Sequence, residues 1–179
     1  MSEYPDEFDT HNGNWKHSKL LDQCIGEKSK IKLLILDVDG VLTDGTKVYT
    51  QEHQPVYKRF RCKDFTAIKR FIAAGVKVIM LSGDNWNAEM ARQRNIPFYC
   101  TRGADLGLDK SVYLKHLEAQ YKVKRENMAF VGDDYFDLSM FKTLFWTFAP
   151  ADSPRIIRQN CLYLLKSKGG QGVVQELYD

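Results

Sequence analysis

Several features are missing from the sequence, and each absence excludes something. No apolar run reaches the roughly 18 residues of a membrane span. The opening residues are polar and carry no secretion-signal core. Neither sign of charge dominates, since 26 Lys and Arg face 23 Asp and Glu for a net +3. Phosphate-backbone binding needs a basic stripe, so this balance argues against a general nucleic-acid binder. The four cysteines, Cys24, Cys62, Cys100 and Cys161, form no C-x-x-C pair, which argues against a zinc site or a disulfide framework. Each reads as a small buried hydrophobe. There is no internal repeat and no long linker. Reduced thiols and the missing signal lead us to expect a cytoplasmic protein without membrane or nucleic-acid partners.

What remains is 179 residues, 44% of them apolar. That is one domain, long enough to bury about 70% of its unfolded surface. Residues 1–30 mix charged and small polar types around a short helical patch at Leu20, Leu21 and Ile25. They read as a polar arm, and His11 and His17 as solvated side chains. The domain proper is expected over 31–179. There IKLLILDV at 31–38, VKVIML at 76–81, 97–100, NMAFV at 127–131, 144–149 and 161–165 read as buried strands. Helical segments alternate with them. One is capped by Asp64 and closed by Gly75, one spans 86–94, and one is capped by Asp109. A short one covers 136–141, and one opens at Ser153 with Pro154 at its first position. Repeated β-α-β units imply an α/β, doubly wound, Rossmann-like parallel sheet with helices on both faces. KVYT at 47–50 and VYKRFR at 56–61 read as a β-hairpin after the first strand.

In such a sheet, ligands sit beyond the carboxyl ends of the strands. Those ends carry Asp37 and Asp39, then Ser82, Gly83 and Asp84, then Lys110 at a helix start, then Asp133 and Asp134 with Asp137 one turn on. Clustered carboxylates suppress one another's ionisation unless a cation joins them. Oxygen-only ligands favour a hard octahedral ion, Mg²⁺. Ser82 and Lys110 supply a donor and a positive charge for phosphate oxygens. Asp37 can then attack phosphorus to form an aspartyl-phosphate. Asp39, two residues along an extended strand end, can protonate the leaving oxygen and later activate water.

The stretch DVDGVLTDG at 37–45 closely resembles the first motif of the haloacid dehalogenase-like phosphatases, and more narrowly of the 3-deoxy-D-manno-octulosonate 8-phosphate phosphatase family. LSG at 81–83, Lys110, VGDD at 131–134 with Asp137, and GGQGVVQEL at 169–177 extend the resemblance. It implies a Mg²⁺-dependent phosphomonoesterase acting on a small phosphorylated sugar acid. In that family the backbone carbonyl at the Asp39 position is a metal ligand. The expected metal set is Asp37, Asp39, Asp133 and Asp134. The expected substrate contacts are Gly45, Lys63, Ser82, Gly83, Lys110, Gly169 and Gly170. The gaps after Asp39 and after Asp84 are too short for a cap domain. The resemblance offers a homotetramer, with neighbouring hairpins and tails walling the site, as the substitute.

Three positions depart from the family pattern. Asp84 stands where Arg is expected, Phe65 follows Asp64 where Gly is expected, and Gln175 replaces an Arg of the tail. Asp cannot receive a carboxylate as Arg does. Lys58, Arg59, Arg61 and Lys63 on or after the hairpin are possible substitutes. Two rival readings stand beside this one. The first is a nucleotide or general sugar phosphatase on the same scaffold. The second is a receiver-like phospho-aspartate signalling domain, which needs no acid two residues past its phosphorylated Asp.

Overall fold

The four residues of strand β1, Leu33–Leu36, are all buried, and their side chains alternate between two separate cores. A strand apolar on both faces needs cover on both faces, which a parallel sheet flanked by helices supplies. The computed structural model shows this arrangement. It describes residues 30–102 and 109–179. The arm at 1–29, with its helical patch, His11, His17 and Cys24, lies outside the described residues.

The remaining strands are β2 (Val48–Tyr49), β3 (Pro55–Tyr57), β4 (Lys77–Ser82), β5 (Phe98–Cys100), β6 (Met128–Val131), β7 (Trp146–Ala149) and β8 (Tyr163–Leu164). Five of them join β1 in one sheet in the order β5-β4-β1-β6-β7-β8, and every pairing in it is parallel. Leu33 stands level with Lys77 on one side and Met128 on the other. Chain order reverses direction at β1, so the crevice beyond β1 and β6 is the topological switch point. β2 and β3 form the separate antiparallel hairpin.

Helices α1 (Cys62–Ala73), α2 (Ala88–Gln93), α3 (Leu114–Tyr121), α4 (Leu138–Thr143), α5 (Arg155–Asn160) and α6 (Val173–Tyr178) cover the sheet. Phe65, Ile68 and Phe71 of α1 join Val173, Val174 and Leu177 of α6 over Leu34, Leu36, Val78 and Met80. Leu114, Leu117, Met140, Phe141 and Ile157 cover Leu33, Ile35, Ile79 and Phe130 on the other face. Between β1 and β4 the chain makes only the hairpin and α1, so no cap domain is inserted there. The described residues between β4 and α3 form only α2, β5 and two short turns.

Some expectations need correction. Asp64 does not cap its own helix, whose N-cap is Arg61 with no side-chain bond. Its buried carboxylate instead accepts the backbone N–H groups of Val174 and Gln175, both at 2.9 Å, and so caps α6 from across the fold. Pro154 is the N-cap of α5 rather than its first residue, and the buried Ser153 hydroxyl has no partner. Gly75 closes α1 with φ +85°, and Asp109 caps the next helical segment through Ser111 N–H, as expected. Cys62 is exposed while Cys100 and Cys161 are half-buried, so the three described cysteines are not core residues. Trp146 is buried, but Trp86 is exposed, as are Tyr49, Tyr57, Tyr135, Phe136 and Phe145.

Candidate active site

The loop after β1 places the first acids. Asp37 N–H still bonds to Val131 O at 2.9 Å, so the sheet register carries it to the switch point beside β6. The chain then turns sharply. The N–H groups of Val41, Leu42 and Thr43 all point at Val38 O, and Val41 and Leu42 are buried as anchors. Gly40 adopts φ +85°, and a Cβ there would collide with the Asp133 carboxylate. Only glycine therefore lets the two acid-bearing loops approach this closely.

Asp37, Asp133 and Asp137 bring carboxylate oxygens within 4.8 Å of one another. Asp37 Oδ1 accepts Val38 N–H at 2.7 Å, and its Oδ2 lies 2.8 Å from Lys110 Nζ. Lys110 is 3% exposed and also pairs with Asp137 at 2.5 Å. Burial works against the ammonium charge, but Asp37 and Asp137 outweigh it and hold Lys110 above the ordinary lysine range. Burial pushes the Asp37 carboxyl up to about 7 and, with Asp37 and Asp137 nearby, pushes Asp133 up to about 8. One oxygen of Asp133 is buried with no hydrogen-bond partner. A crowded, oxygen-only set with an orphaned carboxylate oxygen fits a hard divalent cation, which would lower both acids to their charged forms.

The structure divides the predicted metal set. Asp39 turns its carboxylate away from the triad. Its Oδ1 lies 2.5 Å from Lys58 Nζ, and its Oδ2 accepts Asn87 Nδ2 at 2.9 Å. Asp134 Oδ1 caps the following turn through Tyr135 N–H at 2.7 Å. Asp137 orients the β6 loop, its Oδ2 accepting the N–H groups of Asp133 and Asp134 at 2.9 and 3.2 Å. Only Asp37 and Asp133 of the predicted four turn carboxylates into the triad.

The predicted substrate contacts divide as well. Asp37, Asp39, Ser82, Gly83 and Lys110 line one cavity of about 170 Å³, together with Asp84, Thr101, Arg102, Asp134, Phe136 and Asp137. The Ser82 hydroxyl is buried and bonds Asn87 Nδ2 at 3.1 Å. Gly45, Lys63, Gly169 and Gly170 do not line it. Lys63 is exposed on the first turn of α1. Gly169 and Gly170 pack on the backbone of Gly40, Thr43 and Asp44 of their own chain, and Gly170 N–H bonds Val41 O at 3.0 Å. In this chain the tail braces the loop of the first motif from outside the cavity.

Sequence reasoning did not single out Asn87, Thr101, Arg102 or Phe136, and it left Lys58 as one basic residue among several. Lys58 is 8% exposed and reaches Asp39, Asp84 at 2.8 Å and Asn87 at 3.0 Å. Asp84 is also paired with Lys47. Burial alone would raise Asp84, but the bonds from Lys47 and Lys58 hold it well below the usual carboxylate range. A hairpin lysine pointing inward has no sequence mark distinguishing it from its solvated neighbours.

A model of the haloacid dehalogenase-like hydrolases matches residues 95–177. The 3-deoxy-D-manno-octulosonate 8-phosphate phosphatase of Haemophilus influenzae is 34% identical over 157 residues, which span 83% of this chain and 81% of the relative. The chain belongs to this phosphatase family. The cobalt-bound structure of the H. influenzae phosphatase superposes on this chain with a TM-score of 0.76 at 32% identity, covering 84% of this chain and 86% of the other. The family's enzyme from Yersinia pestis gives 0.75 at 29% identity, covering 84% and 80%. Membership of this family makes the chain a phosphatase with a capless Rossmann-like fold. A non-enzymatic receiver domain is thereby set aside. No helix among the described residues is long and apolar enough to cross a membrane.

Proposed function

We propose that this chain is a Mg²⁺-dependent phosphomonoesterase that hydrolyses a small phosphorylated sugar acid resembling 3-deoxy-D-manno-octulosonate 8-phosphate. The observation that carries the reading is the buried Asp37 carboxylate, 2.8 Å from Lys110 and within the oxygen triad, at the switch point of a sheet shared with that family. Asp37 is the nucleophile. Its carboxylate attacks phosphorus, the ester P–O bond breaks, and Asp39 gives the departing oxygen a proton. Asp39 then takes a proton from water, which attacks the same phosphorus and returns Asp37 to its starting form. Lys58 and Asn87 bond both Asp39 oxygens and fix its carboxylate in place. To give a proton, Asp39 must first take one up and release one of these donors. Lys110 and the Ser82 hydroxyl receive the oxygens of the phosphoryl group.

Asp37 and Asp133 would hold the ion, with the Asp39 backbone carbonyl, while Asp137 and Asp134 fix the loop that carries Asp133. Bound Mg²⁺ would neutralise charge on the transferring phosphoryl group. Residues 31–179 form the catalytic domain in this reading, with 1–30 an appended arm. The protein acts in the cytoplasm as a homotetramer. A panel of phosphomonoesters at fixed Mg²⁺ tests the substrate. Rapid turnover of octulosonate 8-phosphate is expected, and rapid turnover of a nucleotide with octulosonate 8-phosphate ignored would defeat the assignment.

A further inference from the structure

An acidic substrate needs a cation to meet its carboxylate, and most cations near the cavity are already engaged. Lys110 is held by Asp37 and Asp137. Lys58 is held by Asp39, Asp84 and Asn87, and Lys47 by Asp84. Asp84, two residues past β4, takes up Lys47 and Lys58, so neither ammonium is left for a second carboxylate arriving there. Arg102 also lines the cavity, is exposed, and has no ion pair among the described residues. Its position is set by the sheet. The preceding Thr101 donates its N–H to Ser82 O at 3.0 Å, which brings the end of β5 beside the end of β4. That bond places Arg102 on the same wall as Ser82 and Gly83, and a guanidinium carries a planar fork of donors that matches a carboxylate.

We propose that Arg102 is the specificity-determining residue that receives the substrate's carboxylate, on a wall where Asp84 engages the neighbouring lysines. This rests on the sugar-acid reading given above. The test compares kcat/KM, in the full chain with Mg²⁺, for matched monoesters. Octulosonate 8-phosphate and 6-phosphogluconate represent acids. Sorbitol 6-phosphate carries an alcohol where 6-phosphogluconate carries its carboxylate. The native chain prefers the acids. Arg102→Ala shrinks that preference by roughly 10- to 100-fold, the change expected for one charge-assisted bond, and chiefly through KM. Arg102→Lys restores only part, because an ammonium lacks the fork. Arg158→Ala, which removes the same charge outside this cavity, keeps the native preference. The inference is overturned if Arg102→Ala keeps the preference, or if it depresses both substrate types equally. A native chain with no preference for acids overturns the sugar-acid reading itself, and the inference with it. The two failures are thus separated by which protein shows them.

Discussion

Asp37 and Asp39 sit two residues apart yet meet different surroundings, and their variants should differ accordingly. Asp37→Asn removes the nucleophile and should abolish turnover of any monoester. Asp39→Asn keeps the nucleophile but loses the proton donor, so kcat should fall at least ~10²-fold. Lys110→Met leaves Asp37 and Asp137 without their shared cation and should lower kcat by about 10²–10³-fold. Steady-state kinetics on the best substrate of the panel reads all three. The acids also predict a pH dependence. Asp37 at about 7 and Asp133 at about 8 lie above the ordinary aspartate value, so the metal-free fold favours their protonated forms. Their contribution to metal-free stability is complete below the ordinary aspartate value of 3.8, falls progressively as pH rises from there, and is gone once pH has passed 7 to 8. Ion binding needs the carboxylates, so Mg²⁺ affinity should rise across the same window with release of protons. Melting temperature measured with and without Mg²⁺ checks the sign. The Mg²⁺-induced increase should be small at about pH 6 and large at about pH 9.

Helices and loops are where sequence reading succeeded least evenly. The strands were legible because runs such as LLIL and MAFV can only be buried on both faces. The rim acids were legible because strand ends in a parallel sheet converge. Asp64 was misread because an Asp before an apolar helix is the ordinary mark of a cap, while its real partners lie about 110 positions away. Helix α6 was missed because GGQG reads as a turn. Its φ +98° at Gly172 leads directly into VVQELY, whose apolar side is buried against α1 and the sheet. Asp64→Ala should therefore uncap α6 and cost about 1–3 kcal/mol, read as a lower urea midpoint. Gly169→Ala should destabilise the first-motif loop as well, since a methyl there runs into the Gly40 carbonyl.

At the scale of the molecule, the absent cap leaves the site under one hairpin. That hairpin exposes Val48, Tyr49, Val56 and Tyr57, each at least 40% accessible, while its Lys47 and Lys58 reach into the site. The proposed tetramer would cover those side chains. Native mass spectrometry should find four chains, and Val56→Asp should shift the population towards smaller species while raising KM. Turnover in this mechanism depends on one atom pair, the Asp37 carboxylate and a substrate phosphorus. Quenching the enzyme during turnover and reducing it with borohydride converts a phosphorylated aspartate to homoserine, which peptide mass spectrometry locates. Homoserine is expected at position 37, dependent on both substrate and Mg²⁺. Homoserine at another carboxylate, or none at 37 while turnover proceeds, would contradict this mechanism.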